Sequence, residues 1–111
     1  MKFTRGDTHC FRFQRKRNKQ PIVEQAESIY FTVKEYNSDD APVLIQKTIE
    51  DIEFDSNYYY HVSILPKDTN ELEYKTYYYD IEVKIGEDYV KTIKKGQLIL
   101  TDESTTAKDE V

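Results

Sequence analysis

From Tyr77 onward the chain alternates with a period of two. Tyr77, Tyr79, Ile81, Val83 and Ile85 hold every second position, with Tyr78, Asp80, Glu82 and Lys84 between them. That spacing puts the first set on one face of a β-strand and the second set on the other. Gly86 then precedes the run from Tyr89 to Ile93, and Lys95-Gly96 precedes Gln97 to Leu100. Two Gly-containing turns between three strand-like runs predict an antiparallel meander and an all-β class.

With 111 residues, one domain over 1–101 is the natural expectation. A chain of this size buries roughly 60–70% of its unfolded surface, enough for one core. No apolar run approaches the ~18 residues of a transmembrane helix. The opening Met1-Lys2-Phe3-Thr4-Arg5-Gly6 lacks the apolar stretch of a signal peptide. Cys10, the only cysteine, cannot form an internal disulfide, which fits a protein made in a reducing cytoplasm. As a lone thiol it is expected to be a small buried hydrophobe. Ten Tyr and five Phe beside three Gly and three Pro favour an ordered, strand-rich domain.

Short strands with turn signals recur along the chain. The first runs from Lys2 to Arg5 and stops at Gly6-Asp7. In the run from Thr8 to Gln14, His9, Phe11 and Phe13 share one face, and Cys10, Arg12 and Gln14 the other. Residues 15–26 read as a polar loop with a short strand near Pro21. Ser28 to Tyr36 alternates again, placing Ile29, Phe31 and Val33 opposite Thr32 and Lys34. Residues 37–42 are a turn cluster. Val43 to Ile49 and Tyr58 to Leu65 are further strands, the latter with Tyr58, Tyr60, Val62 and Ile64 as one set. Pro66 to Leu72 is the helical candidate, with Pro at a first-turn position. Residues 102–111 form a polar tail expected to fray. Strands at this spacing predict a two-sheet antiparallel sandwich, with a small closed barrel as the alternative.

The chain's chemistry is sparse. His9 and Cys10 are adjacent, so a strand sends them to opposite faces, and no metal-ligand spacing links them to His61. The acid pairs Asp39-Asp40, Glu50-Asp51 and Glu87-Asp88 each stand alone, whereas calcium needs several converging oxygens. No phosphate loop or nucleophile elbow is present, and no cofactor, metal or catalytic residue is assigned. Two features remain as candidate interaction sites. Tyr59 and Tyr78, the middle members of two Tyr triplets, face away from their neighbours and are the tyrosines expected to be exposed. Arg12, Arg15, Lys16 and Arg17, with Lys19, put five positive charges into residues 12–19 without an acid. Against a net charge of −5 the rest of the chain therefore carries −10. That segment could bind phosphates, but the surrounding negative charge and the lack of a second basic cluster favour a solvated loop or a local contact to an acidic partner. Nucleic acid is accordingly not the expected partner.

The order of several short motifs resembles a known family. Phe3-Thr4-Arg5-Gly6-Asp7 leads into Phe11-Arg12-Phe13, then Ile29-Tyr30-Phe31-Thr32-Val33-Lys34. Val62-Ser63-Ile64-Leu65-Pro66-Lys67-Asp68-Thr69 and Leu72 follow, then Tyr77-Tyr78-Tyr79-Asp80-Ile81-Glu82-Val83, Val90-Lys91-Thr92-Ile93 and Gly96-Gln97-Leu98. This order, spanning residues 3 to about 101, resembles small immunoglobulin-like β-sandwich modules of tailed bacteriophages and prophages, above all the N-terminal domain of the baseplate upper protein family. Members of that family are longer and carry helical and C-terminal assembly regions absent here. Leu72-Glu73-Tyr74-Lys75-Thr76-Tyr77 also resembles the tyrosine corner of sandwich domains.

The expectation is an immunoglobulin-like antiparallel β-sandwich of seven to nine short strands with one short helical turn. The resemblance implies a non-enzymatic structural module of a virion, in a tail, baseplate or capsid accessory position. Such a module acts through sheet faces or edges on other virion proteins or on itself, without membrane insertion. Two alternatives are a carbohydrate-binding module with exposed tyrosines as stacking platforms, and a nucleic-acid-binding protein using residues 12–19.

Overall fold

Ten β-strands, a 3₁₀ turn and one turn of α-helix make up the computed structural model, which describes residues 1–86 and 89–102. In chain order the strands are β1 (Lys2–Thr4), β2 (His9–Gln14), β3 (Lys16–Arg17), β4 (Gln20–Pro21), β5 (Ser28–Lys34), β6 (Val43–Thr48), β7 (Glu53–Phe54), β8 (Tyr59–Ile64), β9 (Thr76–Ile85) and β10 (Tyr89–Thr101). The 3₁₀ turn Ile49–Asp51 follows β6, and α1 (Pro66–Thr69) lies between β8 and β9. Seven strands have three or more residues; β3, β4 and β7 are two-residue pieces. The acid pair Glu87-Asp88 and the tail from 103 lie outside the described residues.

A five-stranded sheet has the order β1-β10-β9-β5-β6, and a three-stranded sheet has the order β2-β8-β7. In the immunoglobulin arrangement, strands A-B-E-D face C-F-G. Here β10-β9-β5 takes the place of G-F-C, and β2-β8-β7 takes that of B-E-D. β6 extends the first sheet. Among the described residues no strand occupies the A position beside β2. The first strand instead runs parallel to the end of β10, pairing Lys2 with Ile99 and Thr4 with Thr101.

The alternation read from the sequence decides which side chains enter the core. Tyr77, Tyr79, Ile81 and Val83 of β9 are buried, while Tyr78, Asp80, Glu82 and Lys84 are half-exposed. Ile29, Phe31 and Val33 of β5 meet Tyr60, Val62 and Ile64 of β8, with Leu98 and Leu100 closing the cluster. Each such large side chain contributes about 1.5–3 kcal/mol on leaving water. Rings knit the two sheets together: Phe11 meets Phe31 edge-on at 5.1 Å, and Phe13 stacks on Tyr60 at 5.2 Å within its own sheet. The Tyr60 hydroxyl accepts the Ala26 N–H at 2.9 Å, which satisfies a buried polar atom. At the start of β9 the Tyr77 hydroxyl donates to the Glu73 carbonyl at 2.8 Å, the geometry of a tyrosine corner.

Four expectations are corrected. Lys95-Gly96 is not a turn: β10 runs unbroken from Tyr89 to Thr101, with a register shift between Thr92 and Lys94. Gly96 lies in the strand interior under the Tyr79 ring, where a Cβ would come within 2.7 Å of the ring atoms. That close approach, rather than a change of direction, is why glycine stands there. Cys10 is exposed, not buried. It shares the outer face of β2 with Arg12, and its Sγ lies 3.3 Å from Ser63 Oγ; strand alternation outweighs the usual burial of thiols. Tyr58 is not part of the inward set. It sits in the turn before β8 at φ 68°, held by its N–H to the Asp55 carbonyl at 3.0 Å. Residues 15–26 are more ordered than a loop: β3 and β4 form a hairpin around Asn18 and Lys19, both in the left-handed region, as a two-residue turn of this type requires.

Candidate functional site

The basic segment and the start of β10 share one end of the sandwich. β2 ends at Gln14, and the β3–β4 hairpin folds over that end. Ile22 N–H donates to the Arg15 carbonyl at 2.9 Å, closing its base. Across from it, β9 delivers Val83 and Ile85, and β10 begins at Tyr89. A cleft of about 640 Å³ lies between them. Arg12, Arg15, Lys16 and Arg17 line one wall, and Lys91 and Lys94 the other. The second basic cluster missed in the sequence is therefore present, brought in from a strand more than seventy positions away. No Asp or Glu lines the cleft among the described residues.

Register explains the character of the β10 wall. Directly paired residues share a face. Tyr89 pairs with Ile85, Lys91 with Val83 and Lys94 with Ile81. Val83 and Ile81 are core residues, so Tyr89, Lys91 and Lys94 stand on the inner face. Among the described residues no strand other than β8 lies beside β2 at this end. β1 covers β10 from Ile99 to Thr101, and the Met1 ammonium donates to the Gln97 carbonyl at 2.8 Å. Among the described residues the edge from Tyr89 to Gly96 has no strand neighbour other than β9.

Apolar side chains collect at the same end. Val23, Ile85, Tyr89 and Val90 are between 41% and 58% exposed and make up four of the seven large hydrophobics so exposed among the described residues. Val23 and Ile85 line an adjoining cleft with Arg15 and Arg17. The Arg15 guanidinium is tethered by Nη2 to the Glu24 carbonyl at 2.5 Å. Its Nε is buried without a hydrogen-bond partner.

The tyrosine candidates separate from one another. Tyr59 is half-buried, and Arg12 lies over its ring at 4.2 Å, so it belongs to the basic end with one ring face taken. Tyr78, also half-buried, lies on the outer face of the five-stranded sheet. It lines a second cleft of about 470 Å³ with exposed Tyr36, Asp39, Asp80 and Lys95. The structure does not bring Tyr59 and Tyr78 together. Tyr36 and Tyr89, the exposed rings at the two clefts, were missed because neither belongs to a Tyr triplet.

Titratable groups elsewhere have structural partners. Asp55 caps the turn into β8, accepting the Asn57 and Tyr59 N–H groups at 2.7 and 3.0 Å and meeting His61 Nε2 at 2.6 Å. The His61 hydrogen bond, with the backbone donors, holds its carboxyl below the usual carboxylate range. Lys75 pairs with Glu35 at 2.8 Å, which raises its ammonium above the ordinary lysine value. Among the described residues no three His, Cys, Asp or Glu converge as a metal site, and no helix is long and apolar enough to cross a membrane. No protein-family model and no curated protein matches the chain.

Proposed function

We propose that the chain is a non-enzymatic association module of a bacteriophage or prophage particle, in a tail, baseplate or capsid accessory position. It binds a neighbouring virion protein or a second copy of itself through the open end of the sandwich. The carrying observation is the edge of β10 from Tyr89 to Gly96, which lacks a partner strand among the described residues and lies beside four exposed apolar side chains. An open edge offers backbone donors and acceptors to an incoming chain, and exposed apolar groups rimmed by charge mark a contact surface. Many copies on a symmetric particle turn a weak contact into useful avidity. The particle assignment itself rests on the family resemblance of the ordered motifs.

Sedimentation at high concentration, alone and with proteins encoded beside the gene, tests this reading. Association with a dissociation constant on the order of micromolar is expected. Replacing exposed Ile85 and Tyr89 by Ser should weaken it about tenfold while leaving the fold intact. A strictly monomeric protein that ignores those neighbours yet retards DNA or an oligosaccharide would overturn it.

One observation favours a second reading. The cleft at Tyr36 and Tyr78 combines two rings with Asp39, Asp80, Asn37 and Gln97, a mixture of stacking faces and hydrogen-bonding groups suited to a saccharide. Calorimetric titration with oligosaccharides, lost on Tyr78→Ala, would favour it over the first.

A further inference from the structure

We infer that the cleft beside β10 is a strand-acceptor site. Its occupant is an extended acidic segment of another protein, in which Asp or Glu alternates with apolar residues. The inference rests on the edge-association reading and names the partner's chemistry.

The geometry asks for a strand. Among the described residues two open edges flank one cleft: the outer edge of β2, with no strand in the A position, and β10 from Tyr89 to Gly96. An extended chain laid between them brings backbone donors and acceptors at the strand repeat. A globular surface could not enter the gap to meet them.

The charge asks for acids. Arg15, Lys16, Arg17, Lys91 and Lys94 line the cleft without a described acid, and Arg12 borders it with its guanidinium over the Tyr59 ring on the outer face. Lys91 and Lys94 stand on the inner face of β10, beside Tyr89 and Ile93. Val90 pairs with Lys84 and stands exposed on the outer face, so a neighbouring strand that alternates acid and apolar residues turns its acids to these cations and its apolar side chains to Val90. The Arg15 guanidinium is held at the cleft wall by its Nη2 bond to the Glu24 carbonyl.

Other occupants fit less well. Edge lysines set two β10 edges against each other by like-charge repulsion, which opposes pairing between copies while admitting an acidic strand. A long polyphosphate would run past the cleft onto a chain of net charge −5, whose residues outside 12–19 sum to −10. Tyr89 is the one exposed ring that the cleft offers for base stacking.

The test measures amide hydrogen exchange of the whole chain with four probes. These are a synthetic peptide alternating Glu and Val, the same composition arranged in two blocks, a peptide alternating Lys and Val, and oligothymidylate. The alternating Glu–Val peptide should slow exchange of the β10 amides between Tyr89 and Gly96 that point away from β9. It should bind at least about tenfold more tightly than the other three. The double variant Lys91→Glu, Lys94→Glu should reverse the preference toward the Lys–Val peptide. Equal protection by the Lys–Val peptide would overturn the acidic occupant and leave edge association standing. Tighter binding of the block peptide or oligothymidylate would overturn the alternating strand. If no peptide protects the β10 edge, edge association falls as well.

Discussion

The ring of Tyr79 lies against the backbone of Gly96 on the neighbouring strand, so close that a Cβ at position 96 would stand 2.7 Å from its Cε2 and hydroxyl oxygen. The two residues are direct partners in the β9–β10 ladder. Tyr79 is buried and also tilts against Phe31 at 5.7 Å, so the ring has little room to withdraw. Gly96→Ala should therefore cost about 1–3 kcal/mol through overpacking. Urea denaturation checks this. Trimming the ring in a Tyr79→Leu background should recover part of the loss, and a neutral Gly96→Ala would show that the ring yields freely.

The tyrosine corner makes a second prediction. The Tyr77 ring is buried, and its hydroxyl spans to the Glu73 carbonyl. Burial also raises its phenol above the ordinary tyrosine value. Tyr77→Phe keeps the ring and removes the bond, leaving that carbonyl to find water or nothing. A loss of about 1–2 kcal/mol is expected. Tyr78→Phe, on the outer face, should change stability by less than about 0.5 kcal/mol. Equal effects at both positions would contradict the corner.

What was legible in the sequence follows from how local each signal is. The two faces of β9 differ in polarity at every step, so Ile81 and Val83 could be placed inside without knowing their partners. Gly96 could not be understood locally. A glycine after two lysines reads as a turn, and only the pairing of β9 with β10 puts a ring above it. The candidate site was half legible for the same reason. Arg12 to Arg17 are contiguous and stand out against an acidic chain, whereas Lys91 and Lys94 join them only through the fold. The empty strand position is a property of which strands pair, so no single stretch of sequence announces it. For Cys10 the alternation of Phe11 and Phe13 already pointed outward, and the general habit of cysteine was the weaker guide.

Cys10 gives a third prediction. Its side chain is exposed on β2 with a weak contact to Ser63. An aromatic disulfide reagent should label it in the native protein at a rate close to that of the unfolded chain, because access is not gated by unfolding. Cys10→Ser should alter stability by no more than about 0.5 kcal/mol. Labelling that proceeds only in denaturant would return the thiol to the core.

The last prediction concerns pH and His9. Its imidazole stacks on Phe3 with centroids 4.4 Å apart and planes within 3°, and tilts against Phe11 at 6.4 Å. Burial lowers its pKa below the ordinary 6.5, and the positive N-terminus adds to the shift. The sign follows from linkage. Below about pH 6.5 the unfolded chain takes up a proton that the folded chain resists, so the unfolded state binds more protons and stability falls as pH falls. The loss begins near 6.5 and levels once the folded imidazole is itself protonated. Above 6.5 both states are neutral and His9 contributes no slope. Asp55 acts in a lower range: its depressed pKa stabilises the fold above the usual carboxylate value, and that contribution is lost as pH falls through the folded one. Thermal unfolding from pH 8 to about 2 of the wild type and His9→Phe separates the two. The variant should lose the slope just below 6.5 and keep the steeper acid limb. Parallel curves across the whole range would show that the Phe3 stack does not oppose protonation of His9.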